Sequence, residues 1–180
     1  NSHVRSSIDQ DEWREALRAC KGGVLRQEVY ELDVDALDAR GEHRPVRLFQ
    51  TAFHSCEIRR VQARGPNRHA VFLVTESEAI QYDYDLDLRT ANPDPDPRIA
   101  HTLNLDVDRF GNVRQTVAVG YPRVGTESGQ GLPAGTATRI RRAQSEPHVK
   151  YTENRFSNAV DDASGYRTPE PCEVMTHELN

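Results

Sequence analysis

The sequence predicts a mainly β chain, built of long antiparallel strands and hairpins, with one short helix near its N-terminal end. Three observations predict it. From Val24 onward, runs of β-branched and aromatic residues recur between clusters of turn residues. Between residues 82 and 88, Tyr82, Tyr84, Leu86 and Leu88 alternate with Asp83, Asp85 and Asp87, the two-residue period of a strand with one buried and one wet face. Ahead of these runs, Trp13, Leu17 and Cys20 fall on one face of a helix.

Each element follows in order. Ser7 and Gln10 have the spacing of a capping box, and Gly22 with Gly23 stops the helix. A strand over residues 24–30 leads into an acidic turn region at 33–41, and a long strand covers 46–63. The Gly65-Pro66-Asn67 turn returns the chain into a strand at 70–75, and residues 80–88 form another. Pro93-Asp94-Pro95-Asp96-Pro97 is a stiff connector, because proline fixes its own φ and keeps the preceding residue out of the helical region. Residues 99–107 and 113–121 then form a hairpin around Asp108-Arg109-Phe110-Gly111-Asn112, where glycine supplies the positive φ of a tight return. Residues 125–135, rich in Gly, Ser and Thr, read as a loop. From His148 the chain shows a short strand or two, with loops around Asp161-Asp162 and Pro169-Glu170-Pro171. The expected division is a helix-plus-sheet region at 7–123, a flexible linker at 124–147 and a strand-and-loop segment at 148–180.

Composition narrows the function. Of 180 residues, 36% are apolar and 28% charged, which suits a sheet that keeps much of its surface wet. The net charge of -5 argues against nucleic acid or an anionic membrane as a partner, since both need concentrated Lys and Arg. The nearest basic cluster, Arg139-Ile140-Arg141-Arg142, reads as a solvated loop. No apolar stretch is long enough to span a bilayer, so a soluble chain without direct membrane insertion is expected, and no charged-then-apolar signal segment opens the sequence. Cys20, Cys56 and Cys172 are too few and too scattered for a disulfide framework and are expected to be free thiols.

The search for chemistry favours structural readings. Asp83, Asp85 and Asp87 open like a calcium loop, but Leu88 stands where that loop needs glycine and Asp94 where it usually has glutamate. His54 and Cys56 could share a strand face, yet no second pair of ligands stands at a matching short spacing. Gly125, Gly129 and Gly131 fit neither a dinucleotide fingerprint nor a phosphate loop, and no Gly-x-Ser-x-Gly motif marks a nucleophile. Tyr82, Tyr84, Tyr121, Phe72 and Phe110 could stack on sugars, but their place in strands favours packing. Arg64, Arg68 and His69 could bind an anion or a partner, and more simply hold and solvate their turn. No catalytic, cofactor-binding or metal-ligating residue is assigned, no cofactor is expected, and the chain reads as a non-enzyme.

The run Arg64-Gly65-Pro66-Asn67-Arg68-His69-Ala70-Val71-Phe72-Leu73-Val74 resembles part of the middle/C-terminal region of the B component of bacterial insecticidal toxin complexes, the large SpvB-like secreted proteins. The resemblance extends upstream through residues 13–30 and downstream through Phe110-Gly111-Asn112 to Tyr151-Thr152-Glu153-Asn154 and Tyr166-Arg167-Thr168-Pro169. The hairpin Asp106-Val107-Asp108-Arg109-Phe110-Gly111-Asn112-Val113 is also similar to a unit of the Rhs or YD-repeat family.

This resemblance implies a segment of a larger curved β-shell in a secreted, extracellular protein. In that family, the B component joins a C component to enclose a cytotoxic effector and docks on a pore-forming A component. The implied partners are therefore the C and A components and the remainder of the parent chain. The family's self-cleaving aspartates lie in the C component, so none is carried over here. The competing reading is an autonomous β-rich module that binds a glycan or a protein partner.

Overall fold

The computed structural model describes residues 8–31, 47–84, 96–124 and 131–179. Helix α1 (Gln10–Ala19) precedes strands β1 (Arg26–Glu31), β2 (Arg47–Gln62), β3 (Val71–Asp83), β4 (Arg98–Val107) and β5 (Val113–Gly120). Helix α2 (Ala134–Ser145) leads into β6 (His148–Phe156), followed by the short hairpin of β7 (Val160–Asp162) with β8 (Gly165–Arg167), and by β9 (Pro171–Leu179).

Seven strands form one antiparallel sheet in the order β1-β2-β3-β4-β5-β6-β9. Strands adjacent in sequence pair with one another, except that β9 returns to β6 after the β7-β8 hairpin. The sheet is therefore a meander of local pairings, open at both ends, with β1 and β9 as its edge strands among the described residues. At 16 residues, β2 is about 53 Å long.

Very little of this sheet is covered. Ala16 and Ala52 are the buried apolar side chains among the described residues, and no large side chain is fully enclosed. Both faces of β3 are half-buried along most of its length, so the expected contrast between a buried and a wet face is not seen there. Residues 85–88, which complete the alternating run, lie outside the described residues.

Several local expectations change. The helix is capped by Asp9, whose Oδ1 accepts the Glu12 N–H at 2.7 Å; Ser7 lies outside the described residues. The face of α1 turned to the sheet carries Glu12 and Ala16, whereas Trp13 and Leu17 are 52% and 55% exposed. Small Ala16 permits close approach, and Glu12 finds polar partners beneath the helix. The strands expected at 70–75 and 80–88 are one strand, β3, whose register against β2 skips Ser77. A bulge there absorbs one residue and lets pairing continue through the polar Glu76-Ser77-Glu78 stretch.

The segment expected as a loop over 124–147 contains α2, and Arg139, Arg141 and Arg142 are exposed on that helix rather than on a loop. Its C-terminal carbonyls have partners: the Arg123 N–H donates to the Gln144 carbonyl at 2.8 Å, and His148 Nε2 lies 2.9 Å from the Ala143 carbonyl. Such caps, supplied from flanking positions, stabilise a helix whose own composition signals it weakly. Asp161 and Asp162, expected in a loop, belong to β7. Among the described residues no helix is long and apolar enough to cross a membrane.

Candidate functional site

The densest polar cluster joins α1 to the turn between β2 and β3. Glu12 is 4% exposed, and its Oε2 meets Arg60 Nη1 at 2.7 Å while its Oε1 accepts the Arg64 N–H at 2.7 Å. One turn on, Glu15 Oε1 lies 2.8 Å from His69 Nδ1, and its Oε2 accepts the Ala70 N–H at 2.8 Å. Asp11 pairs with the Arg64 guanidinium at 2.6 Å. Three acidic side chains of one helix thus hold both sides of the Gly65-Pro66-Asn67 turn, while Arg68 is exposed within it. A helix face that looks solvent-seeking in sequence is a docking face because the turn presents backbone N–H groups and cations to it.

Charge follows from this geometry. The Arg64 N–H, helped by Arg60, holds the Glu12 carboxyl below its usual 4.5 despite the opposing effect of burial. The Ala70 N–H and then His69 do the same for Glu15. A lowered folded pKa means that the unfolded chain takes up protons first as pH falls. The stabilisation is therefore complete above about pH 4.5 and is lost as pH drops through the lower folded values. Acidification below pH 4.5 is expected to undock α1, raising amide exchange at Arg64 and Ala70 before the strand amides of β4 and β5 open. Simultaneous opening of all these amides would contradict this order.

The second cluster is the β4-β5 return. Asp108 Oδ1 accepts the Phe110 N–H at 2.8 Å and the Asn112 N–H at 3.0 Å, and its Oδ2 accepts from Asn112 Nδ2 at 3.0 Å. Burial raises the Asp108 pKa, but these donors outweigh it and leave the carboxyl lower than usual. Arg59 of β2 donates to the Asp108 carbonyl at 2.8 Å, crossing over β3 to tie the turn to the sheet. Gly111, at φ +90°, turns toward Leu73 and Thr75. The aspartate-and-glycine turn read from sequence is thus also a packing unit.

Beside it, a groove of about 410 Å³ is lined by Asp108, Arg114, Glu153, Arg155, Phe156, Ser157, Asn158 and Pro169. Its cations are already engaged: Arg155 pairs with Glu153 at 3.3 Å and with Glu173 at 3.0 Å, and Arg114 pairs with Asp106 at 3.6 Å. This balanced lining gives an anion little to gain.

The other sequence candidates separate in space. His54 pairs with Glu76 at 2.8 Å across β2 and β3, whereas the Cys56 thiol, after burial, helps to push the Cys20 thiol of the helix terminus up. His101 stacks on Tyr121 and pairs with Glu78 at 2.7 Å. Phe53 meets Tyr82 edge-on, and Phe110 lies under the Arg109 guanidinium, so the aromatic residues are spread along the sheet. Asp83 takes hydrogen bonds from Gln50 and Gln81; Asp85, Asp87, Gly125 and Gly129 lie outside the described residues. Among the described residues no group of three or more His, Cys, Asp or Glu side chains could hold a metal ion. Sequence spacing missed the pairing of Glu12 with Arg60 and the nearness of Cys20 to Cys56, since only the tertiary fold creates them.

Comparison with known proteins gives this sheet a context. Residues 15–167 match the family described as the insecticide toxin TcdB middle/C-terminal region. A search of curated proteins finds no match. Among solved structures, a Photorhabdus luminescens Tc holotoxin pore is similar in fold, with 21% identity and a TM-score of 0.63 over 94% of this chain. The chain spans 8% of the length of that matched chain. With its family model covering most of its length and an open antiparallel sheet to match, the chain belongs to the middle/C-terminal region family of the insecticide toxin TcdB.

Proposed function

We propose that this chain is a non-catalytic wall segment of a secreted toxin-complex B component. In this reading its sheet continues into the rest of the parent chain. Together with a C component, it encloses a cytotoxic effector outside the producing cell until delivery through a pore-forming A component. The observation that carries the reading is a seven-stranded sheet that, among the described residues, is open at β1 and β9 and has almost no buried core of its own. Unpaired strand edges and lightly covered faces seek further strands and layers. Such material suits a partition between two compartments better than a self-contained binding module.

Light scattering and thermal unfolding of the isolated chain test this proposal. Alone, it should self-associate or unfold over a broad range. With the remainder of a B component and a C component, it should join a monodisperse particle in which the β1 and β9 amides gain protection from exchange. A cooperative, monodisperse monomer would overturn the wall reading and favour an autonomous binding module.

A further inference from the structure

We infer that Cys20 and Cys56 form a redox-closable dithiol that can lock helix α1 covalently onto strand β2. The two residues are 36 positions apart in sequence, and both thiols are free. Two independent features of the fold bring them together.

The first is the match between helix and strand lengths. Glu12 is fixed to Arg60 by its carboxylate. Eight residues of helical rise from Glu12 to Cys20 cover about 12 Å. Four residues of strand from Arg60 back to Cys56 cover about 13 Å. Glu12 beside Arg60 and Leu25 beside His54 make this stretch of chain run back along β2, with α1 itself packed against β3, so Cys20 falls between the same two anchors as Cys56.

The second is the β1-β2 register. Arg26 pairs with Phe53, and the His54 N–H donates to the Leu25 carbonyl at 2.9 Å, so the ladder continues backward beyond β1. Carried on at the same register for two more residues, this pairing would set Gly23 opposite Cys56. The Gly23 N–H closes a turn onto the Cys20 carbonyl at 3.1 Å, which brings Cys20 back to the same point. The Cys20 thiol donates to the Ala16 carbonyl at 3.6 Å, and burial, followed by the nearby Cys56 thiol, pushes its pKa up. The bulge that skips Ser77 lies opposite Cys56, where a bulge can re-aim a strand side chain.

Cys172 supplies an internal control. It lies on β9, five strand spacings from β2, or about 24 Å across the sheet. It cannot reach the pair.

Closure needs an oxidant, and a low-molecular-weight disulfide suffices. The exposed Cys56, as thiolate, attacks one sulfur of the oxidant, forming a mixed disulfide and expelling one small thiolate. Cys20, as thiolate, then attacks the Cys56 sulfur, forming the Cys20–Cys56 bond and expelling the second. Two protein thiols are oxidised, one small disulfide is reduced to two thiols, and the two protons pass to the leaving thiolates. The covalent bond would reinforce the carboxylate clamp on the same helix, including in acid where that clamp weakens.

The test is to assemble the reduced chain with the remainder of a B component and a C component, incubate the particle with oxidised glutathione, quench with acid, alkylate the remaining thiols, and map tryptic peptides. The expected product links the Cys20 and Cys56 peptides within one molecule, leaving Cys172 outside the link. Oxidation should raise Tm by about 5–10 °C, and Cys56→Ser should remove both the link and the rise. Retention of glutathione on Cys56 with Cys20 still alkylatable, a link to Cys172, or a link between molecules would each overturn the inference. A correct link with unchanged Tm would overturn the lock. Peptide mapping of the unsubstituted chain needs no variant to fold.

Discussion

Replacing Glu12 by alanine is expected to release helix α1 from the sheet and, in the chain assembled with the remainder of a B component and a C component, to lower Tm by about 5 °C or more. The side chain is 4% exposed and satisfies both the Arg60 guanidinium and the Arg64 N–H at 2.7 Å. Its loss removes the carboxylate that faces Arg60 and leaves the Arg64 N–H without its acceptor, and removing one member of a buried pair costs more than the pair contributes on balance. Glu12→Gln retains an acceptor for the Arg64 N–H but loses the charge facing Arg60, so its effect should be smaller. Circular dichroism would register loss of the helix, and amide exchange at Arg64 would report the turn. The fluorescence of Trp13, the single tryptophan, would change little, because that ring is already largely exposed. Unchanged Tm and exchange in Glu12→Ala would mean that the cluster decorates the turn without holding it.

In the same assembled particle, Gly111→Val is expected to cost about 2–3 kcal/mol, lowering Tm by roughly 5–10 °C. The backbone at residue 111 has φ +90°, which a β-branched residue adopts only with strain. A Cβ added there would lie 3.4 Å from Leu73 Cδ1, so the branch beyond it meets β3 directly. Gly131→Val separates the two causes, since Gly131 has φ +87° with no heavy atom within 4 Å of an added Cβ. Its cost should be about 1–2 kcal/mol, the backbone share alone. Equal losses in the two variants would show that Leu73 simply moves aside, and that the β4-β5 return is not packed against β3.

The parts legible in the sequence are those decided by local chemistry. The Asp108 to Asn112 return was readable because Asp, Gly and Asn each satisfy a short-range demand of a tight turn; Gly111 supplies the expected positive φ, and Asp108 accepts the N–H groups of Phe110 and Asn112. The span of β2 was readable within one residue at each end, because its β-branched and aromatic run is bounded by turn residues. The continuity of β3 was less so. Glu76-Ser77-Glu78 looks like an interruption, yet a strand with two lightly covered faces carries polar residues at little cost, and a bulge repairs the register. Helix α2 was hidden for another reason, since Arg123 and His148 supply partners for its last carbonyls from outside it.

From its residues alone the chain could be assigned a mainly β character, its principal turns and, through quoted runs, its resemblance to toxin B components, because each depends on neighbours in sequence. Which face of α1 packs inward was decided only in three dimensions. Trp13 and Leu17 have the apolar spacing, but the β2-β3 turn presents donors rather than an apolar bed, so Glu12 and Ala16 face the sheet. The order of strand pairing, in turn, leaves β1 and β9 at the edges of the sheet among the described residues. Such relations between distant residues arise from the order in which strands pair and the surface they offer, and no local pattern encodes either.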